Sequence, residues 1–70
     1  MIDHVALFEY KLLASHVSPK ILLWAHWKVF TTLDIPPRGP EGDPVNDKRL
    51  NLLLNGVIRE VRKLEEEERG

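Results

Sequence analysis

The chain has no cysteine among its 70 residues. Disulfides and thiolate metal sites are therefore excluded, and the absence fits a reducing, cytoplasmic setting. Helix breakers are scarce outside one stretch. Four of the five prolines and two of the four glycines fall within residues 34–46 (DIPPRGPEGDPVN). Neither sign of charge is in excess, with ten basic residues against eleven acidic ones. That balance gives no general attraction to nucleic acid or to an anionic membrane. No uncharged run approaches the roughly 20 residues that a bilayer span requires. The start MIDHVALFEY carries Asp3 and no basic stretch, so a secretory signal is not expected.

What is present is helical. Residues 1–70 make one small domain. A chain of this length buries only ~60% of the surface its unfolded form exposes, and small folds usually recruit a disulfide, a metal or a partner subunit. The first helix is expected at about 3–16, with Asp3 as its N-cap. The second is expected at about 19–33, opened by Ser18 as cap and Pro19 in the first turn, where a missing N–H is harmless. The Pro/Gly-rich connector at 34–46 favours extended backbone. A longer helix, at about 46–69, follows. Both Asp43-Pro44 and Asn46-Asp47 are suitable starts. An acidic end closes the chain at 65–70. The fold class is all-α: an antiparallel helical hairpin, a proline-rich loop and a longer C-terminal helix.

At ~100° per residue, Ile2, Val5, Ala6, Phe8, Leu12 and Leu13 share a broad apolar arc. Glu9 and His16 intrude on it, while His4, Lys11 and Ser15 mark a wet face and Leu7 lies nearly opposite. In the second helix Leu22, Leu23, Val29, Phe30 and Leu33 share an arc with His26 near its middle. Trp27 lies at the edge. Trp24 falls outside, between Lys20 and Lys28, with Ile21 close to it. In the third helix Leu50, Leu54, Val57, Val61 and Leu64 form a seam two heptads long, with Leu53 and Ile58 beside it.

A short link at 16–18 makes the first two helices antiparallel neighbours. Facing residues then sum to roughly 35, which sets Leu12 against Leu23, Val5 against Phe30 and Ile2 against Leu33. Glu9 meets His26, each the polar intruder in its own stripe. They are expected to form a structural hydrogen-bonded pair, since a buried carboxylate or imidazole is tolerable when paired. No Ser, Cys or second carboxylate completes a catalytic set around them.

The third helix outreaches the hairpin, at ~33 Å against ~20–23 Å. Its far half is therefore expected to overhang and to serve as an interface. The partner-binding residues expected on this reasoning are Leu54, Val57, Val61 and Leu64, with Trp24 and Ile21 on the second helix. No phosphate loop, HExxH, EF-hand loop or CxxC occurs. His4, His16 and His26 stand twelve and ten residues apart, unlike a zinc pair sharing a helix turn. No catalytic, cofactor or metal residue is therefore assigned. The expected function is non-enzymatic. It is a protein-protein interaction or assembly subunit, acting through a homo-oligomeric or hetero-oligomeric helical interface. The alternative is a small DNA-binding regulator of helix-turn-helix type, disfavoured by a reading helix that carries only Lys20 and Lys28.

Overall fold

The computed structural model describes residues 1–69. It contains α1 (His4–His16), α2 (Pro19–Thr32) and α3 (Pro44–Arg69). The all-α class and the order hairpin, proline-rich loop, long helix are as expected. The acidic end is part of α3 as far as Arg69, and Gly70 lies outside the described residues.

Local chemistry explains each boundary. The Asp3 carboxylate accepts the Ala6 N–H at 3.0 Å, satisfying one of the donors that a helix start leaves open. Ser18 does the same for Ile21 at 3.3 Å, with Pro19 following. α3 takes the earlier of its two starts. Asp43 accepts the Val45 N–H at 2.9 Å, and Pro44 occupies the first turn. Before it, the Asp43 N–H donates to the Pro40 carbonyl at 3.0 Å. Gly42 has φ +85°, the left-handed value that the third position of a type II turn demands. The other cap candidate, Asn46, instead faces back into the loop. Its side chain accepts from the Gly39 N–H at 2.8 Å and donates to the Pro40 carbonyl at 2.8 Å. The connector is thereby tied to the helix it precedes.

Both hairpin helices pack chiefly on α3 and touch each other less extensively. α1 runs in the same sense as α3, since Asp3 bonds to Asn51 and Glu9 to Arg62. α2 runs against it, with Val29 beside Gly56 and Phe30 beside Arg49. The buried core is Ala6, Leu13, Ala25, Val29, Leu54, Val57, Ile58 and Val61. Its α1 and α2 members are mostly small, so the helices approach α3 closely. At Gly56 a Cβ would lie 2.9 Å from a Val29 methyl and 3.2 Å from Leu33.

Three facing pairs expected in the hairpin are therefore absent as packed pairs. Val5, Leu12, Leu23, Phe30 and Leu33 are exposed. The reason is competition for α3, whose apolar side is the chain's most sharply defined. Each hairpin helix is apolar over most of its circumference and turns its narrower, smaller-residue strip toward that side.

Gly56→Ala tests the close approach. The new methyl would raise helix propensity by about 1 kcal/mol, but overpacking against β-branched Val29 costs about 1–3 kcal/mol. A lower midpoint in denaturant is expected. In the Val29→Ala background the same change should become neutral or stabilising. Equal losses in both backgrounds would show that Val29 does not limit the gap.

Candidate protein interface

With small residues turned inward, the large ones are left outside. Neither phenylalanine nor tryptophan appears in the buried core. On α1, Val5, Phe8 and Leu12 form an exposed row at spacings of three and four, and exposed Met1 precedes the helix. On α2, Leu23, Trp27 and Phe30 form a second such row. Phe8 is 63% exposed, Leu23 73% and Trp27 61%. Arg49 stands 5.8 Å from the Phe30 ring centroid, covering one side of that ring and leaving the rest open. Aromatic side chains normally dominate a small core, so this inversion is the most informative feature of the surface.

The interface expected on α3 requires correction. Val57 and Val61 are 0% and 1% exposed, and Leu54 is also buried. All three belong to the shared core. Ile21 and Leu64 are half-buried. The expected overhang is missing because α1 does not stop at the near half of α3. Leu13 and His16 line a shallow cleft with Arg62, Glu65 and Arg69, so the far end is flanked as well. Trp24, expected to be the outward tryptophan, is 39% exposed and less open than Trp27. It lines the cleft between α2 and α3 with Lys28, Glu60 and Lys63.

The polar residues also change partners. Glu9 and His26 do not meet. The Arg62 guanidinium donates to the Glu9 carboxylate at 2.7 Å, joining α1 to α3. His26 Nε2 shares a hydrogen bond of 3.1 Å with the Tyr10 hydroxyl. Their rings meet edge-on, with centroids 5.9 Å apart. A register sum of 36 rather than 35 brings Tyr10 into the place expected of Glu9, and Glu9 turns to the α3 side. The Glu9–Arg62 pair is partly solvated, so it adds little stability.

Two asparagines act in ways the sequence does not signal, Asn46 among them despite its expected place as a helix cap. Asn51 grips the N-terminal backbone, accepting from the Asp3 N–H at 2.7 Å and donating to the Met1 carbonyl at 2.8 Å. Asn46 holds the loop through Gly39 and Pro40. Their residue type is common on any exposed helix, and no spacing in the sequence distinguishes them. Among the described residues, no cluster of three or more His, Asp or Glu converges as a metal site would require. No helix among the described residues is long and apolar enough to cross a membrane.

Two substitutions separate the polar partners. Tyr10→Phe removes the hydroxyl. It should cost about 1 kcal/mol and move the His26 ring resonances in NMR spectra. Glu9→Gln should leave those resonances in place. Equal movement in both variants would contradict a Tyr10–His26 pair independent of Glu9. The chain matches no protein-family model, no curated protein and no solved structure.

Proposed function

We propose that this chain is a non-enzymatic assembly subunit that binds protein through the exposed rows of α1 and α2. The observation that supports this is the placement of Phe8, Trp24, Trp27 and Phe30 outside the core. Large aromatic residues are enriched where one protein anchors on another. An open apolar patch on a small domain usually marks a binding surface. A thin core of alanine, valine, leucine and one isoleucine leaves stability to be gained from a partner. A cytoplasmic setting agrees with the absence of cysteine. The DNA-binding alternative gains no support, because the outward side of α2 presents Leu23, Trp27 and Phe30 where base or phosphate contacts would need polar groups.

The core assignment and the surface assignment lead to opposite outcomes on substitution. Val57→Glu places an unpaired carboxylate in the core and should unfold the domain. Leu23→Ser should leave the helical content intact. For the binding itself, p-benzoylphenylalanine placed at position 27 in living source cells should give covalent protein adducts on irradiation. The same group at position 48, which is exposed but outside the rows, should not. Equal yields from the two positions, or no protein adduct from position 27, would overturn the reading.

A further inference from the structure

One of the two open rows is complementary to itself. Along α2, Lys20, Leu23, Trp27 and Phe30 recur at spacings of three, four and three, and Asp34 follows two residues past the helix end. That is the repeat by which two helices share a seam. Its middle is apolar, one end is cationic and the other anionic. Lys20 and Asp34 are both exposed, and among the described residues neither takes part in an ion pair. We infer that this seam is occupied by a second copy of the chain, laid antiparallel about a two-fold axis at Trp27. The inference rests on the proposed protein-binding function and adds the identity of the occupant.

Charge selects the orientation. In the antiparallel arrangement Lys20 of each copy lies beside Asp34 of the other, and Leu23 lies beside Phe30. A parallel arrangement would set Lys20 against Lys20 and Asp34 against Asp34. An interface in which one patch meets itself about a two-fold is the commonest solution for homo-oligomers. The α1 row has no such pair of opposite charges at its ends, and nothing in it selects a second copy.

The exposed area is also larger than the mass of the chain requires. The chain exposes 5309 Å². A compact monomer of 8.1 kDa is expected to expose ~4500 Å². The surplus of about 800 Å² belongs to the chain as a whole and is comparable in size to one partner's share of a standard protein interface.

The test is the absolute mass by light scattering, from millimolar to micromolar chain. The expected result is twice the chain mass at the top of the range. Lys20→Glu and Asp34→Lys should each weaken association by about tenfold or more, because symmetry converts two attractions into two repulsions. The double variant, with the charges exchanged, should regain the parent's association. Both single changes suit their own helix, an acid in the first turn and a base just past the last. A loss of dimer is thus not a loss of fold, and circular dichroism checks this. A monomer throughout, or single variants that associate like the parent, would overturn the inference. So would a double variant as weak as the singles. A monomer that floats with vesicles of phosphatidylcholine and phosphatidylserine would overturn it in favour of a membrane contact. If the chain is monomeric but position 27 still yields adducts with another protein, only the second copy is refuted. If position 27 yields no protein adduct, the binding function falls with it.

Discussion

Van der Waals contact between a glycine and a valine sets the distance between α2 and α3. Gly56 has no side chain, and Val29 fills the space that one would take. Ala25, fully buried on the same helix, and Ala6 on α1 extend that economy of volume. Interiors are close-packed, so a gap this narrow has no room for a phenyl or indole ring. The rings must then lie on other sides of their helices. The exposed aromatic surface is thus the geometric complement of a tight, small-residue core, and one feature does not exist without the other.

α3 is the element on which everything else is fastened. Arg62 holds the middle of α1 through Glu9, and Asn51 holds its N-terminal approach. Asp47 lies 3.3 Å from the terminal ammonium group. Asn46 and Asp43 hold the loop. Most of these contacts are exposed, and each is worth little alone. Together they fix how α1 and the connector sit around a core too small to orient them by packing alone.

Helix existence was legible because the stop and start signals are strong. Asp3, Ser18-Pro19 and the prolines of 34–46 mark the boundaries by mechanisms local to a few residues. The core of α3 was legible too. Leu54, Val57 and Val61 stand on a sharply two-sided helix, although their expected role as an open seam was not what the fold made of them. The inward side of α1 and α2 was not legible. Phe8 and Leu12 fit an apolar arc as well as Ala6 and Leu13 do, and periodicity weighs size and hydrophobicity, not the closeness that a neighbour permits. Gly56 was the missed signal. A glycine inside an otherwise strong helical pattern usually has a packing reason, and here that reason decides which residues of α2 face outward.

The order of the elements along the chain has a consequence for synthesis. Chains emerge from the ribosome N-terminus first. Here the first two helices have no extensive contact with each other and find their common support only in the third. Residues 54–61 of α3 supply half of the buried core, so before they are available α1 and α2 lack most of their packing partners. The nascent chain therefore carries two amphipathic segments with inner and outer apolar strips open together. Completion of the core must await α3.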